Sequence, residues 1–140
     1  MPSSTRSERL DAVRAGMRER GLDALLVCGP EDIFYLTGLA HQGHFAFTAV
    51  VLGLDGPARI VIRAMERPTL AAQTPECLAL TYGDDEDPAP LVVEALAQVG
   101  ARQAGVEMAT MALPVAVWER IRGAARFVDA GGLVERIRRV

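Results

Sequence analysis

The segment "LDALLVC", residues 22–28, constrains this chain more than any other stretch. Its apolar run is continuous, not alternating. A strand wet on one face reads apolar, polar, apolar; a strand with unbroken apolar character is covered on both faces. A strand covered twice requires layers on each side of its sheet. The chain of 140 residues is one ordinary domain long, and half its residues are hydrophobic. That is enough to build such a core.

The neighbouring segments supply the layers. Thr5 and Glu8 have capping-box spacing, and Leu10, Val13 and Met17 repeat on one helical face. Gly21 stands where a helix-ending glycine belongs. After the strand, Pro30 opens a short helix whose first turn holds Glu31 and Asp32, acids that suit the helix dipole. Gly38 ends it. "FAFTAVVL" (45–52) and "ARIVIR" (58–63) read as strands joined by the turn "GLDGP", which makes a hairpin. A helix near 66–73, a strand over 77–82 and a helix over 89–100 follow. A short strand over 103–107, a helix over 113–125, a strand over 126–130 and a last helix complete the chain. Alternating helices and strands with one internal hairpin predict an α/β fold: a three-layer domain with a mixed sheet flanked by helices.

Composition excludes several function classes. The net charge is −3 and the basic residues are scattered, unlike the dense basic face of a nucleic-acid binder. No run of about 18 apolar residues offers a membrane span, and "MPSSTRSERLDAVRAG" lacks the apolar centre of a signal peptide. The expectation is a soluble, cytoplasmic protein with no nucleic-acid or membrane partner. All 15 basic residues are arginine, so no catalytic lysine exists. Cys28 and Cys77 lie far apart, outside any CxxC motif, and read as reduced thiols. Tyr82, Trp118 and Phe127 sit in apolar segments and read as core.

The candidate chemistry gathers in "GPEDIFYLTGLAHQGHF", residues 29–45. Both histidines, His41 and His44, fall there as HxxH. The spacing is i, i+3, the segment contains Gly43, and no acid lies between, so it departs from the helical HExxH pattern of zinc sites. No GxSxG elbow occurs, and the serines are confined to Ser3, Ser4 and Ser7, which argues against a serine hydrolase. A dyad of Cys28 with His41 or His44 can be drawn, but spacing alone does not bring them together. "GDDEDP", residues 83–88, lacks EF-hand spacing and reads as a solvated loop that caps the next helix. Phosphate-cradling glycine motifs are absent. The residues by themselves describe a scaffold without a complete active site.

The order of motifs says more. Pro30 with Tyr35-Leu36-Thr37-Gly38, then the hairpin, then Gly105-Val106-Glu107, then Asp129 with the trailing "ERIRRV" resembles the N-terminal domain of the creatinase/prolidase family over nearly the whole chain. One departure is visible: Asp32 stands where family members commonly carry asparagine, and both residues hold a tight turn. The resemblance implies a ribonuclease H-like fold for residues 1–140. It implies a non-catalytic domain, with a pita-bread catalytic domain absent from this chain. In that domain two divalent metal ions, such as manganese or cobalt, activate water against an amide bond. The parent implied is an Xaa-Pro dipeptidase or aminopeptidase, a homodimer acting on peptides or small amides. No cofactor or metal is expected in the present domain. The resemblance also implies substrate-facing roles for His41, Gln42, His44 and Phe45, on the loop after "YLTG". The alternative is a catalytically inactive peptide- or protein-binding module of the same architecture.

Overall fold

The computed structural model describes residues 5–40 and 46–139. Among the described residues, six helices and six strands follow one another: α1 Arg6–Glu19, β1 Ala24–Val27, α2 Pro30–Thr37, β2 Ala49–Gly53, β3 Arg59–Arg63, α3 Arg67–Gln73, β4 Leu78–Tyr82, α4 Ala89–Gln98, β5 Gln103–Val106, α5 Val115–Ile121, β6 Arg126–Asp129 and α6 Leu133–Arg138. A single 3₁₀ turn, Ala64–Glu66, leads into α3.

Local signals act as the sequence predicts. Thr5 and Glu8 form both halves of a capping box at the start of α1. At the end of α2, Gly38 adopts φ 79°, a left-handed conformation that disfavours any Cβ. Asp87 accepts from the backbone N–H of Ala89 at 3.0 Å, so the acidic loop does cap α4.

The strands form one mixed sheet in the order β4-β3-β2-β1-β5-β6. β1, β2 and β3 are antiparallel neighbours, whereas β1·β5, β5·β6 and β3·β4 are parallel. Alternation sorts the side chains into two cores. Leu25, Val27, Val50, Leu52, Ile60 and Ile62 face α1, α2, α3 and α6. Leu26, Val51, Val61, Ala104 and Val106 face α4 and α5. All four residues of β1 are buried, as the continuous apolar run required. The three-layer α/β arrangement with a mixed sheet is therefore what the sequence predicted.

Two boundaries differ from expectation. β2 starts at Ala49, not 45. Its pairing with β1 ends at Val27↔Val50, so residues 46–48 have no β1 partner. The carbonyl of Phe47 instead accepts from the Tyr82 hydroxyl at 2.6 Å. α5 is shorter than residues 113–125, spanning Val115–Ile121. Pro114 is extended there, so the helix starts only after it. Of the three aromatics, Tyr82 is buried. Trp118 and Phe127 are partly buried and pack edge to face, ring centroids 5.1 Å apart. Both cysteines are free.

Candidate functional site

The topology opens a crevice at one end of the sheet. From the carboxyl end of β1 the chain turns into α2, which packs on one face through Ile33 and Leu36. From the carboxyl end of the parallel neighbour β5 it passes toward α5, which packs on the other through Val117 and Ile121. Connections that diverge in this way leave a gap between adjacent strand ends, where α/β proteins bind ligands. A cavity of about 510 Å³ occupies this place. Val27 at the end of β1 and Gly29 just after it line it, with Glu107, Thr110 and Met111 after β5, and Ala130 and Gly132 after β6.

The crevice is crowded with carboxylates. Among the described residues, Glu31, Asp32, Glu107 and Glu135 line it against one cation, Arg138. The Arg138 guanidinium donates to Glu31 Oε2 at 2.8 Å. Its Nε lies 3.5 Å from Asp32 Oδ1. Those two atoms are sealed from solvent and make no hydrogen bond, so this contact is an ion pair without hydrogen-bond geometry. Burial pushes the Asp32 carboxyl above the ordinary carboxylate range, against the pull of Arg138. Glu107 is raised by partial burial and by the negative charges of Asp32, Glu135 and Asp129. Asp129 is held low, because its Oδ1 accepts from the backbone N–H of Met108 and of Gly131. Next to the crevice, burial pushes the Cys28 thiol up to about 12, with Glu107 adding to the shift.

A second, more apolar hollow of about 670 Å³ lies over the outer side of α2. Phe34, Tyr35 and Leu39 form its apolar surface, and Arg9, Glu31 and Arg138 its charged rim. Arg9 stands over the Tyr35 ring, 4.9 Å from its centroid. Pro30, Glu31 and Arg138 line both hollows, so the Glu31–Arg138 ion pair borders each.

The residues expected to face a substrate, His41, Gln42, His44 and Phe45, lie outside the described residues. Their neighbours Leu39 and Ala40 line the second hollow. Among the described residues, no group of three or more His, Cys, Asp or Glu is placed to hold a metal ion. Also among them, no helix is long and apolar enough to cross a membrane. Sequence reasoning missed Glu107 and Arg138 as crevice residues. Both sat inside the motifs "GVE" and "ERIRRV", which marked them as family signposts, but only the topology places them at one strand end.

Comparison with known proteins agrees with this fold. The model of the creatinase/prolidase N-terminal domain matches residues 9–140. The chain belongs to the creatinase/prolidase N-terminal domain family. Among solved structures, the N-terminal domain of the cytoplasmic peptidase PepQ from Mycobacterium tuberculosis H37Rv is similar, with 21% identity and TM-score 0.76. That similarity covers 92% of this chain and 97% of the other. The Xaa-Pro dipeptidase from Bacillus anthracis superposes with TM-score 0.80 at 18% identity, over 96% of this chain and 36% of the dipeptidase. The Xaa-Pro aminopeptidase P structure from Streptococcus thermophilus gives TM-score 0.75 at 18% identity, over 96% of this chain and 99% of that one. No curated protein sequence matches the chain.

Proposed function

We propose that this chain is the non-catalytic N-terminal domain of a dinuclear-metal hydrolase of the Xaa-Pro dipeptidase or aminopeptidase type. The observation that carries the reading is family membership over residues 9–140, nearly the whole chain. The dipeptidase of Bacillus anthracis, of which this chain covers 36%, supports a longer parent protein. The described residues do not fit a pair of divalent ions. In this reading the two metal ions belong to a separate pita-bread domain, which supplies the activated water, and no step is assigned to residues of the present chain. The domain contributes to a homodimer and to substrate access. His41, Gln42, His44 and Phe45 face a peptide or small amide substrate, and the parent works in the cytoplasm.

The test compares the 140-residue chain with its full-length parent on Xaa-Pro dipeptides with added manganese. The chain alone should release no product, and the parent should hydrolyse the peptide. His44→Ala in the parent should raise KM and leave kcat nearly unchanged, as expected for a group that binds without reacting. Hydrolysis by the isolated chain would overturn the reading. The two hollows flanking the Glu31–Arg138 pair favour a second reading, an inactive peptide- or protein-binding module. A parent that binds peptide by calorimetry without metal, and hydrolyses none, would select it.

A further inference from the structure

The wall of the crevice on the β5 side is the loop "EMATMALP", residues 107–114. It carries two of the four methionines among the described residues. Met111 is 101% exposed and Met108 is 50% exposed. Met17, in the core under α1, is 0% exposed. The loop is held from one side: Asp129 accepts from the Met108 backbone N–H at 3.1 Å, and Thr110 accepts from Ala112 at 3.1 Å. Neither bond involves a methionine sulfur, so the thioethers stand outward on an anchored backbone.

We propose that Met111, with Met108 beside it, is an oxidant-accepting modification site on the crevice wall, converted by hydrogen peroxide to methionine sulfoxide. The sulfur lone pair attacks one peroxide oxygen; the S–O bond forms and the O–O bond breaks. Hydroxide leaves and takes up the proton released from the transferred oxygen, giving water. Sulfur loses two electrons and peroxide gains them. The product replaces an apolar thioether by a strong acceptor dipole, on the same loop as Glu107.

The thiols do not compete. Only the thiolate reacts rapidly with peroxide. Cys28 is buried and its thiol is pushed up to about 12 by burial. Cys77 is half-buried and also raised, again by burial first. A thioether needs no deprotonation, so its reaction follows exposure. Met65 is exposed as well, but it lies beside β3, away from the crevice, with the Arg63 guanidinium against its sulfur. The inference does not depend on the peptidase reading.

The test treats the 140-residue chain with hydrogen peroxide at neutral pH and follows each methionine and cysteine by peptide mass mapping. Met111, the most exposed methionine among the described residues, should gain oxygen first. Met17 should react at least about tenfold more slowly, since its sulfur is reached only through opening of the core. Met111→Leu should remove the first oxidation event and leave the melting curve unchanged, because Met111 packs against no core residue. Oxidation of Cys28 or Cys77 ahead of Met111, or Met17 reacting as fast as Met111, would overturn the proposal.

Discussion

At the residue scale, packing leaves no room for a side chain at Gly105. It sits between Ala104 and Val106, which face α4 and α5, so its own position points to the opposite layer. A Cβ there would stand 2.7 Å from both Ala130 Cβ and Leu22 Cδ1, and 3.0 Å from Leu25 Cδ1. Leucine ends can swing aside, but Ala130 Cβ is fixed to backbone, so the substitution forces main chain to move. Gly105→Ala should therefore destabilise the domain by about 1–3 kcal/mol, read as a lower urea midpoint with an unchanged slope. An unchanged midpoint would mean that the β5–β6 end relaxes freely. Asp32 makes the converse case. Burial lifts its carboxyl despite Arg138, so the fold disfavours its charge. Asp32→Asn keeps the shape and drops the charge, and should leave stability at neutral pH equal or higher. A clear loss would show that the Arg138 pair outweighs the desolvation. The capping box at Thr5, the helix stop at Gly38 and the cap from Asp87 were legible in the sequence because each acts within four residues of itself. The tightness at Gly105 was not, since Ala130 and Leu22 reach it only through the sheet.

At the scale of elements, α6 meets α2 through Arg138, while the β5 end brings Glu107 toward the same group. Asp32 and Glu107 are both raised. Between the unfolded and the raised folded value, the folded chain holds more protons than the unfolded one. These two groups therefore make stability fall as pH rises through that window, which begins at ordinary carboxylate values and extends upward. Glu76, bonded to Arg6, and Asp129 are lowered; the stability they contribute is lost only when pH falls below the ordinary range. The melting temperature should thus rise modestly on acidification from neutral pH toward the ordinary carboxylate range and fall below it. Glu107→Gln should raise it at neutral pH and flatten the upper slope. A melting temperature that drops steadily from neutral pH downward in the wild-type chain would contradict this. Element types and order followed from periodicity and punctuation. The start of β2 did not, because a strand begins where a partner does, and the extent of β1 is set on the other side of the sheet.

At the scale of the molecule, the sequence contained the whole fold in outline but only half of the crevice. "LDALLVC" demanded two covered faces, and the structure supplies them. The crevice joins residues 31, 32, 107, 135 and 138, which no local pattern connects; it exists because β1 and β5 send their chains to opposite layers. That same layering governs how the domain fails. Ile33 on α2 and Ile121 on α5 are both fully buried, but in separate cores on opposite faces of the sheet. Each Ile→Val change should cost about 0.5–1.5 kcal/mol. With the sheet between them and no shared neighbour, the double variant should equal the sum within about 0.5 kcal/mol. Unfolding should nonetheless remain a single transition, because both cores are anchored on the same central strands, β1 and β2. Urea melts of the two single variants and the double, followed by tryptophan fluorescence and circular dichroism, check both points. Trp118 reports the α5 side and the dichroism the whole chain. Two separated transitions would mean that the sheet does not couple its layers. A deviation from additivity beyond about 1 kcal/mol would mean that it transmits side-chain repacking from one face to the other.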